Sequence, residues 1–132
     1  MFDVKVVTPG GIKSQCQAEY VQYETVEGGM GVLTNRLPII AKLKVCPVTI
    51  RKTDKTEEKL IVHGGIVDMS GKELIILTTK AERFEEIDTL KTKEMIDKLE
   101  KEVTTATQDR EKIKNEIETN RIRYKYAQTV KK

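Results

Sequence analysis

The chain has 132 residues, 38% of them hydrophobic and 34% charged, with a net charge of +3. That is room for one medium domain or a small domain with an appendage, and a charge too slight to point to nucleic acid by itself. Aromatic residues make up only 5% and Trp is absent, so a core must rest on Val, Ile and Leu.

Cys16 and Cys46 are too few and too far apart for a disulfide framework or a metal cluster. The first residues lack a basic start followed by an apolar stretch, so no signal peptide is expected. No apolar run approaches the ~20 residues that span a bilayer. The expectation is a reducing, intracellular setting, with any membrane reached through a partner.

Phe2-Asp3-Val4-Lys5-Val6-Val7 mostly alternates and predicts a first strand, closed by a turn at Pro9-Gly10-Gly11. Residues 12–25 offer two strand lengths, with Ala18, Val21 and Tyr23 among the apolar positions, and Gly28-Gly29 ends that run. Ile39 to Val45 and Val48 to Ile50 follow, then a polar hairpin tip at Thr53-Asp54-Lys55. Leu60 to Val62, Ile66-Val67 after Gly64-Gly65, and Leu74 to Leu77 after Ser70-Gly71 complete the set. About eight to ten short strands with no helix between them predict a β-sandwich or barrel rather than a parallel sheet.

All eight glycines and all three prolines lie before Ala81, so a helical pattern can run undisturbed from there onward. Asp88 is a candidate N-cap, and Leu90, Ile96, Leu99 and Val103 recur at near-helical spacing. Thr104-Thr105-Ala106-Thr107 is β-branched and weakly helical, and Asp109 opens a second helix. In it Ile113, Ile117 and Tyr124 form one stripe, and Ile122, Tyr126 and Val130 a second. The fold expected is α+β: a β-sandwich over residues 1–84, then an antiparallel two-helix hairpin over 85–132. Helices of this length are marginal alone in water, so the hairpin needs the sandwich, its partner helix or another subunit to hold it. Such an element can occupy more than one position.

Chemistry is poorly represented. His63 is the only histidine, and neither a nucleophile nor an orienting carboxylate can be read beside it. Gly28-Gly29-Met30-Gly31 lacks the following Lys-Ser/Thr of a phosphate loop and reads as a turn with positive φ angles. The end of the chain is distinctive: from Thr119 onward there are five basic residues, Arg121, Arg123, Lys125, Lys131 and Lys132, and no acidic one. Two readings stand side by side, compensation of the helix macrodipole and an electrostatic handle for an acidic partner or a phosphate.

Several segments together resemble the epsilon subunit family of bacterial F-type ATP synthases. They are Val7-Thr8-Pro9, then Gly28-x-x-Gly31-x-Leu33-x-Asn35-Arg36-x-Pro38, Gly64-Gly65, Ala81-Glu82-Arg83 and Glu86-Ile87-Asp88. The ordered set covers the whole chain. The resemblance implies a non-catalytic rotor subunit that couples proton- or sodium-driven rotation to ATP synthesis, with no metal and no resident cofactor. Its sandwich is expected to bind the gamma subunit and the c-ring. Met30, Asn35 and Arg36 are the c-ring-facing candidates, with Arg36 where many relatives carry His, so that a cation remains without histidine's pH dependence. The hairpin is expected to extend toward the alpha/beta catalytic head and inhibit hydrolysis, with Arg121, Arg123 and Lys125 facing acidic segments of the beta subunits. The location implied is the cytoplasmic face of a bacterial plasma membrane.

Some relatives bind regulatory ATP through an Ile-Asp-x-x-Arg-Ala pattern. The matching positions here are Ile87, Asp88, Lys91 and Thr92, joined by Glu82, Arg121 and Lys125. Lys91 can hold a phosphate as a point charge but lacks arginine's bidentate fork, and Thr92 adds bulk where a small residue is usual. Two other classes of function compete with the rotor subunit. One is a free-standing β-sandwich binding module whose basic hairpin engages nucleic acid, although residues 1–84 hold twelve basic against ten acidic residues. The other is an independent enzyme, disfavoured because no acid–base constellation is legible.

Overall fold

A computed structural model describes residues 2–28, 30–33, 38–105 and 108–129. The chain divides into two compact units, Met1–Arg83 and Phe84–Lys132.

The first unit is all β. Its strands are β1 (Phe2–Thr8), β2 (Gly11–Glu24), β3 (Met30–Leu33), β4 (Ile39–Lys52), β5 (Glu57–Met69), β6 (Glu73–Leu77) and β7 (Ala81–Arg83). They pair in the order β1-β6-β5-β4-β2-β3, and β1 also pairs with β2, so five strands close a ring. Every pairing is antiparallel except that of β1 with β6. A closed ring leaves few edges to manage.

The inward face is the Val/Ile/Leu core that the composition demands. Phe2, Val4 and Val6 from β1 meet Ala18, Val21 and Tyr23 from β2, Val48 and Ile50 from β4, Leu60 and Val62 from β5, and Leu74 and Ile76 from β6. Each such side chain contributes about 1.5–3 kcal/mol when fully buried.

Seven strands are found among the described residues, fewer and longer than expected from the pattern. The reason is that the inward positions change parity within single strands. On β4 they are Leu43, then Cys46, Val48 and Ile50; on β5 they are Leu60 and Val62, then Val67 and Met69. The β4–β5 register runs from Ile39↔Met69 to Arg51↔Glu57 without a shift. The change falls where Gly64 and Gly65 take φ of 79° and 129°, a conformation other residues adopt only under strain. A Cβ on Gly65 would collide with the Leu77 carbonyl. At this corner β5 leaves β7 and takes up β6. Pro47 stays inside β4, opposite Ile61 and between the β4 pairing with β2 and the isolated bridge of Leu43 to Thr25. Gly28 has a positive φ of 92°, whereas Gly31 is a strand residue whose Cβ would strike the Tyr23 ring.

The second unit begins with a 3-10 turn over Phe84–Glu86, followed by α1 (Thr89–Thr105) and α2 (Arg110–Ala127). Asp88 caps α1, its Oδ1 accepting from the Lys91 backbone N–H at 3.1 Å. Asp109 stands at the start of α2 with φ 59° and no side-chain cap. The buried stripe of α1 is Thr92, Ile96 and Leu99, a fourth-then-third spacing. Leu90, expected on that stripe, is 76% exposed. Thr92 replaces it because its hydroxyl donates to the Asp88 carbonyl at 2.7 Å, which satisfies the buried oxygen. On α2, Ile117 and Ala127 are buried, and the Tyr126 ring packs on Phe84 with centroids 5.7 Å apart. Val130 lies outside the described residues.

Candidate functional site

Two surfaces stand out, one in each unit. The first is an apolar row on the outer face of the barrel. In register across four neighbouring strands lie Ile12, Val7, Leu77 and Ile66, with Ile12 and Leu77 about half exposed. Lys42 ends the row on β4. In the next row Ile75 and Ile40 flank Asp68, and Ile40 is 73% exposed. Side chains two residues apart on a strand share a face, so the parity that sends Val6, Ile76 and Val67 inward sends these outward. Contiguous apolar surface of this kind marks an interaction site.

The second surface is the end of α2. Arg121 donates from Nη2 to Glu100 Oε1 on α1 at 2.7 Å, with both side chains about half exposed. Arg123 donates to Asn120 Oδ1 at 2.7 Å, and the Lys125 ammonium lies 5.3 Å from the centroid of the Tyr126 ring. Glu100 lies twelve residues beyond Asp88, about 18 Å along the helix axis.

His63 has a carboxylate partner that the sequence did not disclose. Its Nε2 lies 2.8 Å from Glu82 Oε1, both side chains being largely buried, and Lys80 Nζ is 3.8 Å from the same oxygen. Beside them Glu58 gathers Ser14, Lys52 and Arg83 at 2.9, 3.4 and 3.2 Å. The pairing of β7 with β5 brings these charges together, a long-range register that no local motif reports.

Nothing in these clusters activates a nucleophile. Burial pushes the Cys46 thiol up to about 11, and burial, with the nearby Glu58 charge, also raises Cys16. The Tyr20 hydroxyl donates to Glu57, which raises the phenol and lowers the carboxylate. Protonated thiols and a bound phenol are poor nucleophiles. Among the described residues no group of three or more His, Cys, Asp or Glu could hold a metal ion, and no helix is long and apolar enough to cross a membrane.

Residues 1–84, the whole barrel, match the family model described as ATP synthase, Delta/Epsilon chain, beta-sandwich domain. The chain belongs to this family. Among delta/epsilon relatives it is 44% identical over 84 residues to the ATP synthase epsilon chain of Thermotoga petrophila, covering 64% of this chain and 77% of that one. The epsilon chain of Brevibacillus brevis is 34% identical over 101 residues, 76% of each chain. That of Shouchella clausii is 32% identical over 111 residues, 84% of this chain and 83% of its own. Both longer alignments exceed the barrel and so reach into the helical unit.

Two solved structures share the delta/epsilon fold. One is a chain of the Euglena gracilis mitochondrial ATP synthase, in a structure of OSCP, F1 and c-ring, with TM-score 0.81, 14% identity, and 92% of this chain and 78% of that one covered. The other comes from the central stalk and c-ring of the Tetrahymena thermophila mitochondrial ATP synthase, with TM-score 0.60, 16% identity and 96% of each chain covered. At these identities the likeness is one of fold.

Of the family positions nominated from sequence, Met30 begins β3 opposite Glu24, while Asn35 and Arg36 lie outside the described residues. Ile87 is buried just before the Asp88 cap. Glu82 belongs to the barrel unit and is bonded to His63. Lys91 is exposed in the first turn of α1, and Arg121 is held at the far half of that helix.

Proposed function

We propose that this chain serves as the epsilon subunit in the central stalk of an F-type ATP synthase, coupling ion-driven rotation to ATP synthesis without chemistry of its own. It sits peripherally, at the cytoplasmic face of a bacterial plasma membrane, and joins gamma to the c-ring through its barrel. The observation that carries this reading is the outward row Ile12, Val7, Leu77 and Ile66 on a barrel of this family. A closed barrel has already buried its core, so a second apolar face needs a protein to cover it.

The helical unit restrains hydrolysis by presenting Arg121, Arg123 and Lys125 to acidic segments of the beta subunits. Two experiments test these roles. Leu77→Asp with Ile66→Asp is expected to abolish co-purification with gamma while leaving the barrel folded; retained binding at wild-type strength would refute the docking face. Removal of residues 88–132 is expected to raise hydrolysis by the assembled complex, and Arg121→Glu with Lys125→Glu to do the same. Unchanged hydrolysis in both would leave only the coupling role.

Regulatory ATP is the weaker part of the family pattern in this chain. Asp88 is engaged in capping α1, Glu82 is bonded to His63 and Arg121 to Glu100, so a nucleotide has to displace existing contacts. Calorimetry of the isolated chain with millimolar ATP decides this, a saturable heat establishing the site and no heat rejecting it.

A further inference from the structure

At the basic helix end Arg123 donates to Asn120, and the Lys125 ammonium lies over the Tyr126 ring. The Arg121 contact crosses from α2 to α1, between residues 21 apart in the chain. We propose that Glu100 is an internal decoy: it occupies the Arg121 guanidinium while the helices lie side by side, and an acidic segment of a partner protein must displace it to engage that arginine. The proposal rests on the reading of the basic end as a contact for acidic segments and adds what regulates it.

The chemistry follows from the local charge. From Thr119 onward α2 carries no acidic residue, and the carboxylate that Arg121 meets lies on the neighbouring helix. Nη2 to Oε1 at 2.7 Å is a charge-assisted hydrogen bond. Both side chains are about half exposed, so water and a competing carboxylate can reach the pair, and its strength is that of a surface contact rather than a buried one. Exposed pairs of this kind are worth up to about 1 kcal/mol, or about fivefold in an equilibrium. That is weak enough to exchange for another carboxylate and strong enough to tax the exchange. Separation of the helices breaks the pair outright. The availability of Arg121 therefore reports hairpin closure.

The test titrates the complete chain into a catalytic head complex depleted of it and reads ATP hydrolysis. Glu100→Gln is expected to lower the half-inhibiting concentration about two- to fivefold. Glu100→Ala, which favours helix and so does not weaken the chain by fraying α1, is expected to do the same. In an Arg121→Gln background both effects should vanish, because the decoy has no cation to occupy. If Arg121→Gln weakens inhibition but Glu100→Gln and Glu100→Ala match the wild type, the decoy is refuted and the inhibitory contact stands. If Arg121→Gln inhibits as well as the wild type, the contact itself is refuted and the decoy with it.

Discussion

His63 Nε2 lies 2.8 Å from Glu82 Oε1 and fastens the three-residue strand β7 to β5. Three residues make a short ladder, so β7 depends on side chains for its hold. His63→Ala removes one of them and leaves a largely buried carboxylate short of a partner. A loss of about 1–3 kcal/mol in urea denaturation is expected; a change below about 0.5 kcal/mol, the usual size of a neutral surface substitution, would mean that the ladder alone suffices.

Arg83, next along β7, reaches Glu58, which also takes the Ser14 hydroxyl and the Lys52 ammonium. Glu58 is only 10% exposed, so the cluster is shielded from solvent on the carboxylate side. Glu58→Ala removes the carboxylate that Arg83 and Lys52 share, and because both cations are about one-third exposed a loss of about 1–3 kcal/mol is expected. Glu58→Gln keeps the shape and one acceptor and should cost less. Equal losses for the two variants would show that packing rather than charge is at stake.

The two leucines of α1 are predicted to differ sharply. Leu99 is buried at 4% exposure and Leu90 is 76% exposed. Leu99→Ala should destabilise the helical unit by about 2–5 kcal/mol, whereas Leu90→Ala should change it by less than about 0.5 kcal/mol. Loss of α-helical circular dichroism on heating reads both.

Cys46 sets a pH window. Burial raises its thiol from 9.0 to about 11 in the folded chain, so between those values the unfolded chain has released the proton and the folded chain still holds it. Unfolding then releases a proton, and stability falls as pH rises through the window. Full stability is present below 9 and the contribution is gone by about pH 11. Cys46→Val removes the titrating group, so the difference in unfolding free energy between variant and wild type should shift in the variant's favour from pH 8.5 to 10.5. A difference that stays constant with pH would overturn the assignment.

Much of this architecture was legible because apolar positions repeat with the right period. The alternation in β1, the turn at Pro9-Gly10-Gly11, the hairpin tip at Thr53 to Lys55 and the glycine-free helical part each announce themselves locally. What the pattern could not show is that a strand may turn a corner without ending. The shift from Val62 to Val67 as inward residues reads as a strand break, yet Gly64-Gly65 carries β5 straight through. Leu90 is apolar yet exposed, whereas the polar Thr92 is buried because its hydroxyl bonds back to Asp88, a local satisfaction that apolar spacing alone does not register. The His63–Glu82 and Glu58–Arg83 contacts depend on β7 folding back against β5 across about twenty residues, and the cross-helix pair of Arg121 depends on how α1 and α2 meet.

The parallel pairing of β1 with β6 joins residues 3–7 to residues 73–77, which has a kinetic meaning during synthesis. As the chain emerges, β1 finds β2 at once, but its other side waits for a strand made some 65 residues later. At about 5–20 residues per second that is several seconds, during which the nascent molecule carries an unsatisfied edge rich in valine. The ribosome-bound intermediate, rather than the finished subunit, is thus where this protein is most exposed to aggregation, and where a chaperone has most to protect.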